Sequence, residues 1–453
     1  MADENIQVWD GVFPAANPSA KYSGGDGSQG NPYKISNPTD LAQMSSTIAA
    51  GTTTYVNEYF ELTDNISLNQ YPIAVASINP GGAGDPNLNM WVPIGGAAAG
   101  DGSGKSYGFA GIFDGGGFTI HNAFYNYAIT NPYPGPKDPV AAQNSVGIFG
   151  SLFSTGEIKN LKTAGGFIAG ANSVGGIVGR SWGGKVTNCH NDNFVYAVGA
   201  NGTGGVVGAS WIFEPDPPSV NAEIALVVDR CSNSGTVISN YMNTAHDPAR
   251  RSGAAGGIVG ENEGIVRNCW STVEANVSGL LNAGGIVGSN QDKSSGPAPG
   301  PVNPNAVNNC YNRANIGSTP AYGSIPAVTA DCAGGIIGFQ TGEGQNSYNS
   351  GSITINSPAP SNPTYGQIVG ELRTREYHTN AFIHYSSGAA PLWGVGKDDS
   401  GASASDEFIN DDNGKASLMG MMNNWPGLSQ GDYLEWTRDT SGITNNGYPY
   451  FDE

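Results

Sequence analysis

Charge is the first thing this 453-residue chain lacks. Only 13% of its residues are Asp, Glu, Lys or Arg, against a usual share of about 25%. The 19 basic residues face 38 acidic ones, for a formal net charge of −19. No basic stripe is present, which excludes nucleic acid and anionic lipid as partners. No stretch approaches the ~20 consecutive apolar residues of a membrane span. The start, Met1-Ala2-Asp3-Glu4-Asn5, is too acidic and polar for a signal peptide, so the expected export signal is absent from the sequence given. Five cysteines in so long a chain are too few for a disulfide scaffold. Five histidines, His121, His190, His246, His378 and His384, form no His-Glu-x-x-His metal motif. Helical spacing of apolar residues is missing from the whole middle of the chain.

What is abundant is glycine. There are 68, roughly twice the usual share of about 7%, and Asn makes up about one residue in ten. The glycines have no three-residue period, which excludes collagen, and 38% hydrophobic residues are too many for a disordered chain. The glycines fall instead in a repeated motif: Gly147-Ile-Phe-Gly150, Gly175-Gly-Ile-Val-Gly179, Gly204-Gly-Val-Val-Gly208, Gly256-Gly-Ile-Val-Gly260, Gly284-Gly-Ile-Val-Gly288, Gly334-Gly-Ile-Ile-Gly338 and Gly366-Gln-Ile-Val-Gly370. Successive final glycines are 29, 29, 52, 28, 50 and 32 residues apart. A period near 29 with two long exceptions indicates stacked repeats.

A second pattern follows the first, 9 or 10 residues after it in the short repeats: Asn188-Cys189, Arg230-Cys231, Asn268-Cys269 and Asn309-Cys310, each after a Val-x pair, with Leu161 and Ser347 at the flanking positions. Apolar and polar residues alternate there, as in a half-buried strand. A third alternating segment, such as Phe194-Val-Tyr-Ala-Val198, follows in several repeats. Each repeat therefore reads as three short strands with Gly/Asn corners. One such coil cannot bury its inward face, but a stack can. The expected fold is all-β: a right-handed parallel β-helix of three-strand coils. The expected division is 1–70 as N-terminal cap and entry, 71–394 as β-helix and 395–453 as C-terminal cap. Cys189, Cys231, Cys269 and Cys310 form a structural ladder of small inward residues, expected to be reduced, with disulfides between neighbours as the alternative. Cys332 falls outside the ladder.

The two long repeats carry their extra residues in matching places. From final Gly to Cys they use 23 and 22 residues (208 to 231, 288 to 310) where the short ones use 10 and 9. From Cys to the next Gly-Gly they use 25 and 24 where the short ones use 15. Inserted loops thus leave at the same two corners, two rungs apart, and such loops gather on one side of a solenoid, often the binding side. Their residues Trp211, Phe213, Tyr241, His246, Arg250 and Arg251 are the candidate ligand-binding set. The aromatics either stack on a sugar ring or protein surface or fold down to shield the coil.

Ahead of the repeats runs a further series: Gly24-Gly-Asp-Gly-Ser-Gln-Gly30, Asn31-Pro-Tyr-Lys-Ile-Ser36, Thr39-Asp-Leu-Ala-Gln-Met44, Tyr59 to Leu68, Trp91-Val-Pro-Ile-Gly95 and Phe109 to Ile120. Thr39 is placed to cap a short helix. This series, the repeats and the closing Trp436 and Asn445-Asn-Gly-Tyr-Pro-Tyr450 together resemble the GLUG-motif proteins of bacterial cell surfaces. The resemblance implies a parallel β-helix, an exported location, and a role in adhesion or in presenting a neighbouring domain. GLUG repeats also occur in the non-catalytic part of bacterial immunoglobulin A proteases.

Three chemical patterns fall short in this chain. Gly100-Asp-Gly-Ser-Gly-Lys-Ser106 misses phosphate-loop spacing by one residue, and Asn410-Asp-Asp-Asn-Gly414 lacks the alternating carboxylates of a calcium loop. Paired carboxylates for polysaccharide cleavage do not recur in the repeats. No catalytic residue, metal site or cofactor is therefore expected. The expected function is a non-catalytic extracellular adhesin or scaffold that binds a glycan or a host or cell-surface protein. A β-helical polysaccharide lyase or hydrolase and a ligand-free spacer are the alternatives. Asp406 to Asn424 is expected to contain a short helix within the C-terminal cap.

Overall fold

The computed structural model describes residues 6–70, 73–79, 87–95, 108–126, 145–199, 201–211, 225–241, 253–291, 306–354, 364–372, 381–385, 395–398, 405–409, 422–423, 433–438 and 449–451. Those residues form a parallel β-helix. Each repeat supplies strands to three sheets, and every pairing within these sheets is parallel. The first sheet stacks the motif's leading strands, among them Ser173–Gly175, Thr203–Gly204, Ala254–Gly256 and Asn282–Gly284. The second begins with the long strands Phe149–Lys159 and Val178–Thr187. It then splits into two tracks, because Val178–Thr187 pairs with both Val207–Ser210 and Val227–Asp229. The third stacks His190–Ala197 on Lys162–Gly170, and later strands follow.

The motif is explained by backbone packing. A Cβ on Gly256 would lie 1.9 Å from the Val259 carbonyl oxygen, because the chain doubles back there. A Cβ on Gly257 would lie 2.0 Å from the carbonyl of Gly285 in the next rung and 2.2 Å from Ser271 Oγ. The same arrangement recurs at Gly204-Gly205, Gly284-Gly285 and Gly334-Gly335. Only hydrogen fits, so the glycines are required by rung-on-rung contact. Between them Ile177, Ile258, Ile286 and Ile336 are fully buried, each contributing about 2 kcal/mol of hydrophobic stabilisation.

Side-chain ladders run along the inside and the corners. The inner face of the second sheet stacks Phe60, Phe113, Ile158, Val186, Val228, Val266 and Val307 in register. Cys189, Cys231, Cys269 and Cys310 are buried at equivalent positions and none is in a disulfide. The residue before each cysteine takes a left-handed conformation, with φ of 51° at Asn188, 54° at Arg230, 53° at Asn268 and 55° at Asn309. Asn tolerates that conformation because its short amide bonds locally. A further ladder joins Asn191 to Asn233 and Asn312 to Asn349, each at 2.8 Å. Cys332 lies on the first sheet, buried, with Asn282 and Thr364 beside it.

Parallel pairing starts within residues 1–70, where Tyr33–Ile35 pairs with Tyr59–Leu62. It continues past 395, where Val395–Asp398 pairs with Val369–Leu372. The helix Pro38–Ala49 buries Leu41, Met44 and Ile48 in the core that holds Phe60 and Trp91. Its cap is Asn37, whose side chain accepts from the Asp40 amide, and Thr39 lies inside the first turn. Pro38 supplies the preset φ for the first helical position, which displaces the cap by two residues from the expected Thr39. The helix expected in 406–424 is corrected at its start: Ser405–Ile409 is a strand paired with Ala381–Tyr385, because an adjacent rung offers it a parallel edge. The phosphate-loop-like segment 100–106 and the calcium-loop-like segment 410–414 lie outside the described residues.

Two segments pack on the outside of the coil. Trp436 and Phe451 lie on a column of stacked rings, Trp270, Tyr311 and Tyr348, whose planes are within 6° of parallel. The inserted hairpin Ser318–Thr319 and Val328–Thr329 runs back along the third sheet. Its Tyr322 meets Phe194 edge-on, and Ser324 Oγ donates to the Ile78 carbonyl at 3.0 Å.

Candidate functional site

The loop-bearing corner of the second sheet is where aromatic and ionic side chains gather. The motif sends its Ile inward and its following strand outward at every second residue. Ser151, Arg180, Ala209, Glu261 and Ser289 stand in one register row, of which Ser151 and Arg180 are half-buried and the other three buried. Two residues further on stand Phe153 and Trp182, directly paired, with Trp211 on the next rung. The Trp211 amide donates to the Ser181 carbonyl, which fixes the turn into the first inserted loop.

Trp182 and Trp211 meet edge-to-face at 5.1 Å. The Arg180 guanidinium carbon sits 4.2 Å from the Trp211 ring centre and 5.8 Å from that of Trp182. A planar cation over an indole is a favourable quadrupole contact, and the Ser173 hydroxyl accepts from Arg180 at 3.2 Å. Burial pushes the guanidinium below the usual arginine range, an effect opposed by the nearby Glu261 carboxylate. Glu261 itself is buried and accepts from Gln291 Nε2 at 2.8 Å. Gln291 is the last described residue before the second inserted loop, as Trp211 is before the first. Arg180, Trp182, Trp211, Glu261 and Gln291 thus span four rungs of one corner. Trp182 and Trp211 are half-buried, so each offers part of an indole to solvent beside a charged donor. That combination suits stacking with directional hydrogen bonding.

Of the residues singled out in the sequence, Trp211 belongs to this cluster. Tyr241 does not: it follows the third-sheet strand Thr236–Ser239, and its side chain packs on Gly253. Phe213, His246, Arg250 and Arg251 lie outside the described residues. Sequence reading overlooked Trp182, Arg180, Glu261 and Gln291. A signal for the first was available: Phe153, Trp182 and Trp211 are 29 residues apart, one repeat period. Arg180, Glu261 and Gln291 carried no such signal, since the residues that share their rows differ in type.

Among the described residues, no group of three or more His, Cys, Asp or Glu side chains is arranged to hold a metal ion, and no helix is long and apolar enough to cross a membrane. Residues 170–195 match the family model of the GLUG motif. The matched span holds Gly175-Gly-Ile-Val-Gly179 and Asn188-Cys189, the two patterns whose packing builds each rung. No curated protein matches the chain. A crystal structure of a candidate immunoglobulin A1 protease from Bacteroides ovatus aligns over 97% of this chain and 98% of that one, at 17% identity and a TM-score of 0.47.

Proposed function

We propose that this protein is a non-catalytic binding scaffold of the bacterial cell surface, an adhesin whose loop-bearing side holds a glycan or a protein. The observation that carries this reading is the Arg180, Trp182 and Trp211 cluster at the root of the first inserted loop. Half-buried indoles with an arginine fixed between them are the side chains that dominate recognition surfaces. The rigid coil positions them at no conformational expense on binding, which favours affinity. The GLUG motif at 170–195 supports a surface location.

An array of glycans and host surface proteins tests this directly. Wild-type protein is expected to give a discrete set of signals, and Trp211→Ala or Trp182→Ala to weaken them at least tenfold with the fold intact by circular dichroism. A blank array overturns the adhesin reading in favour of a spacer. Release of oligosaccharides from an arrayed polysaccharide overturns the non-catalytic one.

A further inference from the structure

Beside the aromatic cluster, on the same strands, the coil carries an open groove of about 790 Å³. Its floor is a single outward row. Tyr59, Ile112, Glu157, Lys185, Val227 and Ile265 stand in register on successive parallel strands. Neighbouring strands are about 4.8 Å apart, so the row is roughly 24 Å long. Lys185 is exposed and the other five are half-buried. The row is apolar at both ends, Tyr59 with Ile112 and Val227 with Ile265, and carries one acid and one base in the middle. One flank is a parallel row of matched charges: Lys34 pairs with Glu61, Lys159 with Asp114 and Arg267 with Asp229. The other flank offers the Ser154 and Thr155 side chains and the bare backbone of Gly156 and Gly184.

We propose that this groove binds a neutral, linear polysaccharide laid along the coil axis. The assignment rests on reading this side of the coil as the ligand side, and it names the ligand class. Sugar rings present C–H faces and hydroxyl edges in alternation. The floor matches both, with flat apolar contacts at its ends and a carboxylate acceptor next to an ammonium donor at its centre. Acidic polysaccharides are disfavoured: Glu157 stands mid-floor, Lys159 is already paired with Asp114, and the chain as a whole carries −19, so a polyanion is repelled on approach. A peptide strand has no edge to join, because the central floor strands have parallel neighbours on both sides. A row of this length favours chains over single sugars.

The test is titration calorimetry of the whole chain with xylo-, manno-, cello- and arabino-oligosaccharide series. Polygalacturonate and heparin serve as acidic comparators. At least one neutral series is expected to bind, with affinity rising with chain length until the oligosaccharide fills the row. Tyr59→Ala, Lys185→Ala and Ile265→Asp are each expected to weaken that binding at least tenfold at unchanged melting temperature, whereas Val273→Ala, at an exposed position outside the groove, leaves it within twofold. Tighter binding of the acidic polymers overturns the assignment, as does neutral-glycan binding that survives all three floor variants. Loss of binding in Trp211→Ala with the floor variants unaffected overturns it too, while leaving the loop-side reading in place. Failure of every neutral series also removes the groove assignment, and the array result with Trp211→Ala then judges the adhesin reading separately.

Discussion

Asn309 donates its side-chain amide to the Asn268 side-chain oxygen one rung away, at 2.8 Å. Asn346 continues the line to Asn309 and Asn188 reaches Asn160 in the same way. The line breaks at Arg230, where Asn268 turns to Asp229 instead. Arg230 holds φ at 54° without an amide to stabilise it, and its ion pair with Asp229 is largely solvent-exposed on the arginine side, so it contributes little.

Arg230→Asn is therefore expected to stabilise the protein by about 1 kcal/mol, through relief of left-handed strain and completion of the amide line. The urea midpoint reads this. A destabilised variant would show that the arginine's ionic contacts outweigh its backbone conformation.

Gly257→Ala is expected to be severely destabilising, by about 3 kcal/mol or more, because the added methyl meets backbone on the next rung and cannot be relieved by side-chain rotation. Gly30→Ala is the control: nothing lies within 4 Å of its Cβ, and a change within about 0.5 kcal/mol is expected. Thermal melts of the pair separate packing glycines from permissive ones.

Burial pushes the Cys189, Cys231 and Cys269 thiols well above their ordinary range. The thiolate is the reactive form, so a thiol reagent at neutral pH is expected to leave native protein unmodified over minutes and to modify all five cysteines once denaturant is added. Rapid native labelling of any of these three would contradict the closed core.

His190 is held by two hydroxyls from the next rung, Ser232 at Nδ1, 2.8 Å, and Ser234 at Nε2, 3.1 Å, and Ser234 in turn donates to Asp192. Burial lowers its pKa, with Asp192 and Glu274 opposing and Lys162 reinforcing. The native state thus binds fewer protons here than the unfolded chain. Stability is full above the unfolded value of about 6.5 and is lost progressively as pH falls below it. His190→Gln should flatten that part of the stability–pH profile. An unchanged slope between about pH 6.5 and 5 would assign the dependence to other groups.

Much of this architecture was legible because a solenoid writes its period into the chain. Gly257 and its equivalents recur since every rung meets the next at the same atoms, and the cysteines recur since each fills the same inward corner. The candidate corner was legible only in part. Trp182 and Trp211 obey the 29-residue spacing, but Arg180, Glu261 and Gln291 become neighbours through lateral registry, which insertions of differing length conceal. The groove was invisible for the same reason: its floor takes one residue from each of six strands, and Tyr59 to Ile265 share neither type nor constant spacing. Asn37 and Ser405–Ile409 departed from expectation where local preference yielded, first to a proline and then to an available strand edge.

The hairpin contact between Ser324 and Ile78 ties together segments 246 positions apart in the chain. A stack of coils held only by nearest neighbours could fray from one end, a turn at a time. Here, loss of the first turns also requires the tip of a much later one to let go, which adds about 1 kcal/mol for the hydrogen bond. That fastening couples two distant stretches of the stack, so that release of one is felt at the other.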